Sequence, residues 1–182
     1  MTAPEPVFFS QYFESLFLRA HGDQLTPRLK ARLREAGLDV DRLLPAYPVS
    51  VGKAALQIAV EEIYPGQDRE AALREMGRRF LRGWQSTLLG RAAAAVLRVV
   101  GPRRSLMRLE GAFRTGDNFT RIQAEELGPT RVRLRINHVL GAPAYYAGMM
   151  QEGGVMTGAK NTRATVESTE GDGAVILVEW DP

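Results

Sequence analysis

Two carboxylate pairs, two histidines and a scatter of serines are the residues of this 182-residue chain with the means to run a reaction. The carboxylates are adjacent, at Glu61-Glu62 and Glu125-Glu126. Neighbouring side chains on a helix or strand point in different directions, so neither pair converges as an acid/base dyad does. His21 lies beside Gly22-Asp23 and His138 follows Asn137. Neither has a second histidine at metal-ligand spacing. A lone histidine can serve as an axial haem ligand, but the plainer reading of both is a hydrogen-bonded or surface side chain. Ser10, Ser15, Ser50, Ser86, Ser105 and Ser168 stand outside any nucleophile-elbow motif. The glycine-rich EGGVMTGAK lacks the GK[ST] ending of a phosphate loop, and Gly111–Gly116 is not a dinucleotide fingerprint. There is no cysteine, which excludes thiolate metal sites, disulfides and cysteine nucleophiles. No catalytic residue, metal ligand or cofactor is assigned, and the expectation is a protein that is not an enzyme.

What the residues do offer is an apolar pocket. Phe80, Trp84, Leu88, Tyr145, Tyr146, Met149 and Met150 are candidate ligand-binding residues, placed where a long helix meets a later one. Methionine adapts to irregular shapes, and tyrosine and tryptophan each bring a polar handle to an apolar body. Small-molecule sites have that character, mostly apolar with few polar groups. The competing reading is an ordinary core. A second candidate is electrostatic. Residues 67–115 carry eleven Arg against four acids, a balance of +7, so the remainder carries 3 − 7 = −4. Arg78, Arg79 and Arg82 on this basic stretch are candidate contacts for an acidic protein partner; arginine stems lying over apolar surface are the simpler explanation. No DNA-reading helix pair or aromatic RNA platform accompanies the charge, which argues against nucleic acid.

The elements that must position these residues fall into two blocks. The last third reads strand, turn, strand, helix, strand, turn, strand. Phe119–Leu127 alternates weakly. After Gly128-Pro129-Thr130, Arg131–Asn137 alternates cleanly, with Val132, Leu134 and Ile136 on one face and three arginines on the other. Pro143 suits the first turn of a helix. Within that helix Gly148 costs about 1 kcal/mol of propensity against Ala, tolerable where another element packs close. Gly153-Gly154 or Gly158 ends it. Ala164–Thr169 and Ala174–Trp180 form a second hairpin, with Asp172-Gly173 as its turn signal. Ala174–Trp180 is apolar on both faces and so is expected to be central or covered on both sides.

The first two thirds read as helices able to cover that sheet. Pro4–Arg19, rich in phenylalanine, is compatible with helix or strand and is expected to be docked. Thr26-Pro27 opens a helix that Gly37 ends. Ser50 is a candidate cap for the next, which Pro65-Gly66 stops. Asp68 caps a tract running to about Val100, with Leu73, Met76, Phe80, Trp84 and Leu88 as one stripe. Gly83 and Gly90 mark a bend or close contacts, so this tract divides readily into two helices. Leu88–Gly101 is apolar nearly all round, the pattern of a buried helix. The 45% apolar and 25% charged composition is that of a globular domain. No apolar run reaches the roughly 18 residues of a membrane span, and the start carries Pro4, Glu5 and Pro6 instead of a basic, apolar leader. A cytoplasmic protein is expected.

Several stretches carry a resemblance: FESLFLRA (Phe13–Ala20), GLDVDRLLPAYP (Gly37–Pro48), EEIYPG (Glu61–Gly66), GRAAAAVLRVVGPRR (Gly90–Arg104), FRTGDNFT (Phe113–Thr120), ELGPTRVRLRIN (Glu126–Asn137) and the closing GAK…VEW. In this order, over nearly the whole chain, they resemble a paralogous protein family expanded in myxobacteria, from which no activity transfers. More remotely, the YYAGMMQEGGVMTGAK helix between two hairpins resembles haem nitric oxide/oxygen-binding domains, 4-vinyl reductase domains and core subunits of the vesicle-tethering complex. The resemblance implies an α+β domain that encloses an apolar pocket or presents a dimerising surface. The helical tracts lack the proximal histidine of the haem domains, and the chain lacks their Tyr-x-Ser-x-Arg clasp. A cysteine-free chain also lacks the cysteine-bound zinc of the aromatic-sensing relatives.

Taken together, the sequence predicts a single α+β domain over residues 1–182. An N-terminal helical layer (1–112) packs on a C-terminal four-stranded antiparallel sheet with an inserted helix (113–182). The function expected is ligand sensing or an adaptor role, with a small apolar ligand held between helices and sheet. The alternative is a dimeric scaffold without ligand, docking through its basic helical face.

Overall fold

The computed structural model describes residues 5–182, with the backbone but not the side chain of Leu89; Pro4 and the residues before it lie outside the described residues. The Phe-rich start forms both structures its sequence allows. Strand β1 (Val7–Phe9) runs into a short helix, α1 (Ser10–Phe13), which continues as a π-helical turn, Glu14–Arg19. The Ala20 amide donates to Ser15 O five residues back at 3.0 Å, the wide spacing of that turn. β1 pairs antiparallel with β2 (Ala46–Pro48), a small sheet the sequence does not announce. Phe8, Phe13, Leu16 and Phe17 are essentially fully buried.

Helix α2 (Pro27–Glu35) opens as its sequence requires: the Leu29 amide donates to Thr26 Oγ1 at 3.1 Å, and Gly37 follows with φ +90°. Ser50 does not cap α3 (Val49–Ile63); the helix starts one residue earlier, behind Pro48, with no side-chain cap. Pro48 presets the backbone at the helix entry but offers no side-chain acceptor, so the first-turn amides of α3 have no side-chain cap. Asp68 caps α4 (Arg69–Gln85) through the Ala71 amide at 2.9 Å. The tract then breaks. Thr87 caps a separate helix, α5 (Leu88–Val100), accepting from the Gly90 amide at 3.0 Å. Two short helices, α6 (Pro102–Leu106) and α7 (Glu110–Phe113), complete this block.

The sheet is built from β3 (Ile122–Gly128), β4 (Arg131–Ile136), β5 (Lys160–Glu170) and β6 (Gly173–Asp181) in the order β3-β4-β6-β5, all antiparallel. Helix α8 (Pro143–Met156) is inserted between the hairpins. β6 is interior, and its two faces are covered differently. Ile176 and Val178 face the buried side with Val132, Leu134 and Ile136. Val175 and Leu177 lie on the other face, beside Arg135 and Arg133 of β4. Arg133 there bridges Glu125 and Glu167 at 3.2 and 2.7 Å, so arginine stems shelter the aliphatics. The β5–β6 turn is Gly171-Asp172, one residue before the expected pair. Gly171 has φ +56°, and a glycine in the first position is what a II′ turn needs.

Helices and sheet meet through α8, which packs on β5 and β6 on one side and on α4 on the other. The α4–α8 approach is backbone to backbone. A Cβ at Gly77 would run into the Tyr145 carbonyl, and one at Gly148 into the Arg74 carbonyl. Gly83 gives α4 the same closeness to the π-helical turn, against Ser15 O and Ala20 N. Arg74 also reaches β5, its Nη1 donating to Ala164 O at 2.8 Å.

Candidate functional site

A cavity of about 290 Å³ lies among the helices. α4 contributes Phe80, Leu81 and Trp84; α8 contributes Tyr146, Met149, Met150, Gly153 and Met156. α5 adds Val96, Leu97 and Val100, and the β1–α1 corner adds Phe8, Gln11, Tyr12 and Ser15. Leu106, Leu109 and Phe113, from α6 to α7, close it. No residue of the four-stranded sheet lines it, because α8 stands between cavity and sheet. The expected seam between helices and sheet is therefore occupied by α8 itself, and the open space lies one layer further out, between α8 and the other helices.

Five of the seven residues named as ligand contacts, Phe80, Trp84, Tyr146, Met149 and Met150, line this one cavity. Tyr145 is fully buried but behind the wall, its ring 6.0 Å from Phe80 and 5.6 Å from Tyr146. Leu88 is 79% exposed and lines nothing inside. α5 as a whole departs from the buried helix its apolar run predicts, with Val96 and Val99 at 62% and 89% exposure. Its alanines give little surface to bury; Ala94, Leu97 and Val100 turn inward, and Val96 touches the cavity only at its edge.

The first aromatic segment supplies what sequence reasoning did not assign to the site. Tyr12 stacks on Phe8 with ring centroids 4.3 Å apart and sits 5.2 Å from Phe80. Ser15 is carried on the π-helical turn, a deformation that recurs at functional sites. The Ser15 hydroxyl is buried with no hydrogen-bond partner, while the buried Tyr12 and Tyr145 hydroxyls have only each other. Three other hydroxyls of the lining are satisfied locally: Ser105 donates to Gly101 O at 2.7 Å, Thr115 to Ala112 O at 2.9 Å and Thr157 to Gly154 O at 2.8 Å. In the sequence Ser15 stands between Glu14 and Leu16, a setting that does not mark it for the site. Burial pushes the Tyr12 and Tyr146 phenols up from their ordinary value, so both stay protonated.

Asp117 is the one carboxylate of the lining. Its Oδ1 accepts from the Phe119 and Thr120 amides at 3.0 and 2.7 Å, and its Oδ2 from Thr120 Oγ1 at 2.7 Å. Burial pushes its pKa up, against the pull of those bonds. With this many partners it acts as a turn brace for the entry to β3. The histidines stand outside the cavity. His21 Nδ1 lies 2.8 Å from Leu16 O and Nε2 3.2 Å from Tyr64 Oη, so both ring nitrogens are engaged. His138 Nδ1 accepts from the Leu140 amide at 3.3 Å. Among the described residues no group of three or more His, Cys, Asp or Glu is placed to hold a metal ion.

The three arginines named as partner contacts are engaged within the chain. Arg78 and Arg82 share Glu152 of α8 at 3.3 and 3.0 Å, and both also approach Glu75. Arg79 donates to Gln24 Oε1 at 2.7 Å.

The architecture is similar to that of solved H-NOX proteins. An H-NOX protein from S. oneidensis in the Fe(II)NO ligation state superposes with a TM-score of 0.71 over 96% of this chain and 99% of that one, at 13% identity. An unliganded Fe(II) H-NOX A71G mutant from K. algicida gives 0.66 over 96% and 97%, at 12% identity. An oxygen-binding H-NOX domain related to soluble guanylate cyclases gives 0.66 over 94% and 92%, also at 12%. At these identities the likeness is one of fold. No curated protein matches the chain in sequence. A family profile matches residues 7–181, almost the whole length, and the chain belongs to that family, described as protein of unknown function (DUF2378).

Proposed function

We propose that this chain is a non-enzymatic ligand-sensing or adaptor domain whose inter-helical cavity holds a small, mainly apolar ligand. The observation that carries the reading is the cavity itself: about 290 Å³, walled mainly by apolar side chains, among them Phe80, Trp84, Tyr146, Met149 and Met150. A volume near the lower end of small-molecule sites, apolar with few polar groups, suits a compact ligand. The fold neighbours support sensing, since their descriptions name nitric oxide and oxygen complexes.

Haem, the group that fold implies, does not fit the residues present. Neither histidine lines the cavity, there is no cysteine, and the two lining tyrosines are held protonated by burial. The methionines are thioethers without a histidine to complete an axial pair. The reading therefore rests on occupancy of the cavity by an organic molecule. A scaffold docking through Arg78, Arg79 and Arg82 is less well supported, because those cations already face Glu152, Glu75 and Gln24. Among the described residues no helix is long and apolar enough to cross a membrane, and a cytoplasmic location is part of the proposal.

Native mass spectrometry of protein purified from its own host tests the reading. A reproducible small-molecule adduct, lost on unfolding, is expected. Bare chain mass in every preparation, with no apolar compound raising the melting temperature, overturns it.

A further inference from the structure

We infer that the ligand is a single-chain amphiphile whose anionic head sits between Arg104 and Arg108, with its hydrocarbon tail running into the cavity. The inference rests on the cavity reading above and goes on to name the ligand class. Arg104 and Arg108 both line the cavity and are both exposed, which places them at its rim. Neither makes an ion pair among the described residues. The arginines flanking them are paired, Arg103 with Glu126 at 2.8 Å and Arg114 with Glu110 at 3.0 Å. Two free cations at the mouth of an apolar void form a polar gate with no internal counter-ion.

The rest of the lining does not neutralise them. Asp117 is its one carboxylate; it is held by the Phe119 and Thr120 donors and, among the described residues, makes no ion pair with either arginine. Beyond the rim the wall is aliphatic, aromatic and thioether. A neutral hydrocarbon would leave the two guanidinium groups idle, and a fully polar anion would leave the interior unfilled. A carboxylate or phosphate on one alkyl chain satisfies both parts. Arginine binds either oxyanion through parallel N–H donors, so the shared chemistry is the terminal anion. At a solvent-exposed rim the head keeps part of its hydration, which avoids the penalty of burying a charge.

Calorimetric titration of the full chain with decanoate, decyl phosphate and decanol tests this, the three probes sharing one tail. Wild type is expected to bind at least one of the anions about ten-fold more tightly than decanol. The preference is expected to shrink with added salt. In the R104Q/R108Q double variant both anions are expected to fall to the decanol affinity while decanol is unchanged; R103Q, which breaks an outward pair, is expected to keep the preference. The ratio of decanoate to decyl phosphate identifies the head. Equal binding of all three probes, or a preference that survives the double substitution, overturns the anionic head and leaves the cavity reading standing. Failure of every probe, decanol included, overturns the amphiphile; it overturns the cavity reading as well only when native mass spectrometry also finds the bare chain mass.

Discussion

Gly77 and Gly148 stand where two helices touch backbone to backbone, and each has a neighbour's carbonyl where a methyl group would go. The obstacle is main chain on both sides, so neither helix can yield by turning a side chain. G77A and G148A are each expected to lower unfolding free energy by about 2 kcal/mol or more, read by urea titration. Gly153 lies on the same helix but faces the cavity, where an added Cβ meets only Leu81 Cδ2, at 3.5 Å. G153A is therefore expected to stabilise, by about 0.5–1 kcal/mol, through helix propensity alone. Opposite signs for one substitution within six residues would show that space, not glycine itself, decides. His21 gives a pH prediction. Burial holds its imidazole below the ordinary 6.5, against the Leu16 carbonyl that pulls it up, while the nearby Arg79 lowers it further. As pH falls through 6.5 the unfolded chain takes the proton first. Stability is thus expected to be flat above that point and to decline below it, a slope that H21Q lacks. Thermal melts of both proteins between pH 5 and 8 check this.

α5 shows where sequence patterning and structure part. Its apolar run reads as a buried helix, yet Leu88, Val96 and Val99 face outward, and it is held mainly by its edge toward α4 and the cavity. Periodicity cannot separate a helix wrapped by neighbours from one laid over a void with alanines on its flank. α4 was more legible, because a cap at Asp68 and a stripe at helical spacing act locally. The same holds for β4, whose alternation fixed its faces, and for β6, whose two apolar faces gave its interior place. It fails for the β5–β6 turn, where two glycines flank Asp172 and only the register decides which leads. β2 was illegible, since Ala46–Pro48 is a strand only because β1 lies beside it. Lightly packed elements open first. Amide exchange is expected to be faster across Leu88–Val100 than across Arg69–Gln85 or Pro143–Met156. T87A, which removes the α5 cap, is expected to accelerate α5 further while leaving α4 and α8 unchanged. Uniform acceleration across all three helices would show that α5 is part of one cooperative unit.

The whole molecule is a sheet, a helix laid on it, and a second helical layer that encloses a void against that helix. Its outline follows the H-NOX fold, while no histidine is among the described residues that line its cavity. Sequence reached the two-block architecture and brought Phe80, Trp84, Tyr146, Met149 and Met150 to one place, because helical spacing carries that information. It did not reach Tyr12, Ser15 or the α6–α7 closure, which join the site through contacts distant in the chain. The claim on which everything else depends is that this void is a place where a molecule binds. The methionines make it directly observable: Met149, Met150 and Met156 line the cavity, Met76 is buried outside it and Met107 is exposed on the surface. Carbon-13 methyl NMR of the methionine-labelled protein during a decanol titration is the measurement. The account expects saturable shifts at Met149, Met150 and Met156 with Met76 and Met107 unmoved; methyl signals that stay fixed at all three cavity positions, or shifts confined to Met107, would contradict it.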